Sequence, residues 1–197
     1  MTITASQVQE LRQRTGVGMM ECKRALEEAG GELEKAIDLL RSRGQAKAAK
    51  AAGRATREGR VEAYIHLGGK IGVLIEVDCE TDFVAKTDDF RELTRSLAMQ
   101  VAATNPVAVS REGIDPTLVE REKEIYRQQA RETGKPDEIV EKIAAGKLEK
   151  WYQDVCLIDQ AYIKDPDRKV SDVVTEAVQR LGENIVVRRF TRYEVGA

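Results

Sequence analysis

The apolar positions along the chain follow two periods. Over residues 1–44 they recur every three or four residues, the spacing of a helix that buries one face. Val8 and Leu11 follow Thr4-Ala5-Ser6-Gln7, which has the form of a capping box, and Gly16-Val17-Gly18 breaks that helix. Met19, Cys22, Leu26 and Ala29 mark a second helix, with Ala25 on the same face and Gly30-Gly31 at its end. Leu33, Ala36, Ile37 and Leu40 mark a third, closed by Gly44. Three short amphipathic helices joined by glycine turns predict a compact bundle, marginal alone and suited to carrying a binding face.

The period then changes to two. Val61, Ala63, Ile65 and Leu67 alternate with Glu62, Tyr64 and His66, and after Gly68-Gly69 the alternation resumes at Ile71, Val73, Ile75 and Val77. This predicts a hairpin with a short glycine turn, one face packed on helices and the other half-exposed. Helical spacing returns at Phe90, Leu93, Leu97 and Val101, capped by Thr87 or Asp88 and stopped by Asn105-Pro106. Asp115-Pro116 opens a helix that runs to Gly134-Lys135-Pro136. The next helix, with Ile139, Ile143, Leu148, Trp151 and Val155, forms an antiparallel helical hairpin with it. After Asp165-Pro166, Ser171 caps a last helix that Gly182 ends, and residues 185–195 form a strand that closes the sheet. The prediction is an α+β protein: a three-helix bundle at 1–45, a basic Ala-rich linker or helix at 46–60, and a core at 61–197 of antiparallel sheet packed with helices.

Composition narrows the function classes. No run approaches the roughly 18–20 apolar residues that span a bilayer, and the N-terminus lacks the order of a secretory signal, so a cytosolic protein is expected. Cys22, Cys79 and Cys156 form no C-x-x-C pair, which argues for three small buried hydrophobes over a zinc site or disulfide framework. The single histidine, His66, argues against a histidine metal centre. No phosphate loop, dinucleotide fingerprint, nucleophile elbow or H-E-x-x-H is present, and Gly68-Gly69-Lys70 is explained by the hairpin turn. Nothing supports an enzyme. Residues 41–60 hold seven basic residues and one acidic residue, Glu58. That run is either a solvated Ala-rich helix or a surface for RNA or an acidic partner.

Two places suggest contact surface. Cys79-Glu80-Thr81-Asp82-Phe83-Val84-Ala85-Lys86 follows the second strand, and Phe83 there is either core or a wedge for a partner. If Met19 packs inward, Met20 points about 100° away, toward solvent, as adaptable contact surface; the alternative is that both are core.

Several segments in order resemble the bacterial elongation factor Ts family. The run from Leu11 to Leu26, with Thr15-Gly16-Val17-Gly18-Met19-Met20-Glu21-Cys22-Lys23 at its centre, is similar to one family signature. Glu80-Thr81-Asp82-Phe83-Val84-Ala85 is similar to a second and Gly182-Glu183-Asn184-Ile185-Val186-Val187-Arg188-Arg189-Phe190 to a third. Tyr64-x-His66 followed by Ile71-Gly72-Val73-Leu74 also fits. The resemblance implies a ubiquitin-associated-like N-terminal bundle before the α+β core, and an exchange factor, without a cofactor or metal of its own, whose partner is elongation factor Tu. It implies that Met19, Met20 and Lys23 dock on the partner's nucleotide-binding domain. Asp82 and Phe83 would push between partner helices near the Mg²⁺ and phosphate site. Thr81, Val84, His66 and Gly182 complete the expected partner-binding set. The Thr-Asp-Phe-Val signature occurs once, as in a short form with one core unit, so a homodimer is expected. Neither membrane association nor direct nucleic-acid binding is expected. The competing readings are an RNA- or ribosome-binding protein using residues 41–60, and a helix-bundle adaptor that leaves nucleotide affinity unchanged.

Overall fold

The computed structural model describes residues 3–197. In chain order the elements are α1 (Ala5–Thr15), α2 (Met19–Glu28), α3 (Leu33–Ala51), β1 (Glu58–Ile65), β2 (Ile71–Cys79), α4 (Asp82–Ala85), α5 (Asp88–Thr104), α6 (Pro116–Arg131), α7 (Asp137–Val155), β3 (Ala161–Tyr162), β4 (Asp165–Lys169), α8 (Val170–Leu181) and β5 (Val186–Glu194). The expected α+β class is present, with an N-terminal helical bundle before the sheet. The chain divides into two compact units. One runs up to Arg60 and adds Val77–Leu93 and Asp172–Val186; the other comprises Val61–Glu76, Thr94–Ser171 and Val187–Ala197.

In the first unit α1, α2 and α3 form the bundle. The capping box is complete: the Thr4 hydroxyl accepts from the Gln7 N–H at 3.3 Å, and the Gln7 side chain accepts from the Thr4 N–H at 3.0 Å. Val8, Leu11, Val17, Cys22, Ala25, Leu26, Ala36 and Leu40 make the core. Two expectations are corrected here. Met19 does not continue the buried stripe; it is 52% exposed, whereas Val17 is 4% exposed. Met19 is the first residue of α2, and helical side chains lean toward the N-terminus, so it projects beyond the end of the packed helix while Val17 plugs the core. Nor does Gly44 end the third helix, which continues to Ala51. Gly44 is a packing glycine: a Cβ there would lie 2.3 Å from the Gln179 side-chain oxygen on α8.

The sheet, most of whose residues belong to the second unit, has the order β1-β2-β5. The Val195 N–H donates to the Lys70 carbonyl at 2.9 Å, so the end of β5 lies beside the start of β2 and the two run antiparallel. β2 buries Val73, Ile75 and Val77, as the alternation predicts. The apolar residues of β1, in contrast, are turned to solvent. Val61 and Ile65 are 64% and 66% exposed, with Leu74, Tyr193 and Val195 also in solvent.

The predicted helical hairpin is α6 with α7, tied by Arg127 to Glu141 at 2.7 and 3.1 Å. At its base Ala108, Ile114 and Cys156 pack under Trp151 and Tyr152. The sequence did not suggest the small antiparallel pair β3-β4. Gln100 holds it, donating to the Ala161 carbonyl at 3.0 Å and accepting from the Ile163 N–H at 2.8 Å. Asp165-Pro166 opens β4, and α8 starts at Val170, before the expected cap Ser171. All three cysteines are free and buried. Among the described residues no helix is long and apolar enough to cross a membrane, and no group of three or more His, Cys, Asp and Glu side chains could hold a metal ion.

Candidate partner-binding site

Where β2 ends, the chain turns into α4, a helix of four residues. So short a helix has no stability of its own, because nucleation fixes several residues for a single hydrogen bond. Local caps hold part of it. The Thr81 hydroxyl accepts from the Val84 N–H at 3.4 Å, and the Thr87 hydroxyl donates to the Val84 carbonyl at 2.8 Å. Beneath the turn the Cys79 thiol donates to the Thr81 carbonyl at 3.2 Å. Burial, and then the Glu183 carboxylate, push that thiol up to about 11.

On this turn Ala85 packs inward and Phe83 is 80% exposed. Of the two readings left open, core is excluded: the ring is held in solvent. Beside it Asp82 pairs with Lys86 at 2.6 Å, one helical turn on. The hydrogen bond from Lys86 holds the Asp82 carboxyl below the usual range, so it is charged at neutral pH.

The strongest restraint on this turn comes from the other end of the sequence. α8 ends at Gly182, whose φ of +78° lets the chain reverse and whose N–H donates to the Val178 carbonyl at 2.9 Å. The next residue, Glu183, accepts three hydrogen bonds. Its Oε2 takes the Glu80 and Thr81 N–H groups, each at 3.0 Å, and its Oε1 takes the Thr81 hydroxyl at 2.6 Å. Glu80 returns the exchange: its Oε1 accepts from the Asn184 N–H at 2.6 Å and pairs with Arg54 at 2.9 Å. Buried Asn184 donates to the Arg54 carbonyl at 2.9 Å. The second and third signatures are thus one structure, two chain segments each holding the other's backbone with a carboxylate.

The second exposed cluster is on the bundle. Met20 is 62% exposed beside Met19, and Lys23 is also exposed, 3.8 Å from Glu27. These residues share the first unit with Thr81, Asp82, Phe83, Val84 and Gly182. His66 belongs to the second unit. It is exposed, its Nδ1 lies 3.0 Å from the Tyr64 hydroxyl, and both residues line a cavity of about 270 Å³ with Ile71, Met99, Ile163 and Arg192.

The basic run is largely occupied. Arg43 pairs with Glu28, Lys47 with Glu21, Arg41 with Asp172 at 3.3 Å and Arg54 with Glu80 at 2.9 Å. These cations neutralise fixed carboxylates of the same unit, which weakens the case for an RNA surface. Sequence reasoning gave no role to Glu183, Glu80, Asn184 or Arg54. Apart from the Arg54–Glu80 pair, their partners lie more than a hundred residues away, and the only available signal is that Glu80 and Glu183 each open or follow a glycine- or threonine-marked turn inside a signature.

The sequence pattern of the family described as Elongation factor TS matches residues 7–197. The elongation factor Ts of Moorella thermoacetica is 60% identical over 194 residues, which cover 98% of this chain and 96% of the relative. That of Nitratidesulfovibrio vulgaris is 54% identical over 197 residues, covering 100% and 98%. That of Syntrophomonas wolfei is 57% identical over 194 residues, covering 98% and 91%. With near-complete matches of this identity, and with the separated signatures meeting in one fold, the chain belongs to the elongation factor Ts family.

Proposed function

We propose that this chain is a guanine-nucleotide exchange factor that binds elongation factor Tu and promotes GDP release during translation elongation in the cytoplasm. The observation that carries the reading is Phe83, an aromatic ring 80% exposed on a short helix fixed at both ends. A rigid exposed aromatic is the kind of side chain that becomes a desolvated anchor in a partner's surface. In this reading Met19, Met20 and Lys23 dock on the partner's nucleotide-binding domain, where the methionines adapt their shape to it. Phe83 and Asp82 enter between partner helices near the Mg²⁺ and phosphate site, with Thr81 and Val84 shaping the turn that carries them. Gly182 contributes through its backbone, and His66 offers a contact from the second unit. The displacement weakens the metal and phosphate contacts, and GDP leaves.

No bond is made or broken in this scheme, so no residue is assigned a catalytic role and no cofactor is needed. Exchange is a coupling between two binding equilibria. The factor that lowers nucleotide affinity is itself bound more weakly, by the same ratio, when nucleotide is present. The test is release of fluorescent GDP from elongation factor Tu by the native chain and by Phe83→Ala. Truncating the anchor is expected to cost about 2 kcal/mol, a loss of about 30-fold, with the thermal melt of the free chain unchanged. A folded Phe83→Ala variant with native exchange would move the site elsewhere. Native protein that leaves GDP release at its intrinsic rate would favour the adaptor reading.

The same reading includes a homodimer. Val61, Ile65, Leu74, Tyr193 and Val195 leave an apolar outer surface on and beside the sheet, the self-complementary kind of patch that a two-fold interface uses. Light scattering at micromolar concentration is expected to give twice the mass of one chain, and a monomer there overturns the pairing.

A further inference from the structure

Resting on the exchange reading, we infer that Glu183 is a positioning residue: its carboxylate, bound to the backbone of residues 80 and 81, sets the place and rigidity of the Phe83 turn. Glu183 is half-buried, accepts two successive N–H groups at 3.0 Å and takes the Thr81 hydroxyl at 2.6 Å. Hydrogen bonds to an ionised acceptor are among the stronger ones in proteins, and three of them converge on one side chain. They act where local structure is weakest, at the junction between β2 and a helix of four residues.

The direction of hold is also informative. The bonds fix the backbone on the N-terminal side of Phe83, while the ring itself is left in solvent. Glu183 is therefore placed to govern where the ring points without covering it. Its own position is set from three sides. Gly182 reverses the chain out of α8, the Asn184 N–H is held by Glu80, and the Asn184 amide group is anchored on the Arg54 carbonyl. An anchor presented in its bound conformation binds without a further ordering cost; the same anchor on a loosened turn must be ordered on contact.

The experiment compares Glu183→Ala, Glu183→Gln, Phe83→Ala and the double variant Glu183→Ala with Phe83→Ala. GDP release from elongation factor Tu is measured across a range of exchange-factor concentrations. Amide hydrogen exchange of each free chain is measured alongside it. Glu183→Ala is expected to lower the maximal release rate about tenfold, the scale of re-ordering one or two backbone residues on contact. It should also speed amide exchange selectively at residues 80–84 and leave a cooperative melt. Glu183→Gln keeps an oxygen that accepts both N–H groups and is expected to restore most of the rate. In the double variant the two losses should overlap, because a missing ring has nothing to position.

Native-rate release by Glu183→Ala overturns the inference, as does a loss that adds in full to that of Phe83→Ala. Unchanged amide protection at residues 80–84 overturns the clasp itself, whatever the release data. If the native chain fails to accelerate release, the exchange reading falls first, and the amide data report separately on the clasp.

Discussion

The methionine face on α2 and the aromatic ring on α4 present apolar side chains to water by opposite means. Met19 and Met20 sit on the first turn of a ten-residue helix whose inner face, Cys22, Ala25 and Leu26, is fully buried a few residues away. Their presentation is a by-product of ordinary amphipathic packing. Phe83 sits on four helical residues with only Ala85 buried among them, and polar groups at residues 183 and 184 supply much of the restraint. The first surface is held by apolar area, which is non-directional and tolerates substitution of like for like. The second is held by directional hydrogen bonds, which fix geometry more sharply and fail when one acceptor is lost. In the proposed reading the methionines form a docking face, which can be soft, and Phe83 a wedge, which needs a defined direction.

The contrast is open to direct attack. The largest expected effect is on stability: Leu26→Ala removes a side chain with no exposed surface and should cost about 3 kcal/mol in urea unfolding. If it costs less than about 1 kcal/mol, the bundle does not rest on its apolar core as described. Next comes Phe83→Ala, whose loss of about 2 kcal/mol should fall on nucleotide exchange and leave unfolding untouched. Equal losses in both would make Phe83 a structural residue and erase the distinction. The smallest is Gly182→Ala. A Cβ there meets no atom within 4 Å, so its cost is that of a left-handed backbone alone, about 1 kcal/mol of stability. If the clasp depends on this turn, exchange falls with it, and an unaffected release rate would show that Glu183 finds its partners from other backbone conformations.

Features decided by neighbouring residues were legible in the sequence. Thr4 with Gln7 and Thr87 with Phe90 are caps whose partners lie within three residues, and each forms. Features decided across the fold were not. Gly44 resembles a helix end until Gln179 is seen against it. The apolar residues of β1 alternate as an inward face does, yet Val61 and Ile65 lie in solvent. Met19 fits the buried spacing, yet lies one turn too early to reach the core. For the site itself, Phe83 and Asp82 could be singled out because an aromatic beside a carboxylate after a strand is locally odd. The family resemblance then named the set. Glu183 remained silent because a glutamate after a helix-ending glycine has no pattern that says which backbone it will bind.

The clasp also imposes an order of events during synthesis. Residues 80 and 81 and the carboxylate that holds them are separated by 103 and 102 positions. At roughly 5–20 residues per second, the segment that carries Phe83 emerges about 5–20 s before Glu183 exists. Over that interval a growing chain has the sequence of its bundle but not the carboxylate that binds the backbone of residues 80 and 81. In the proposed reading, a nascent chain that has not yet reached residue 183 carries Phe83 on a turn whose main tether is still missing.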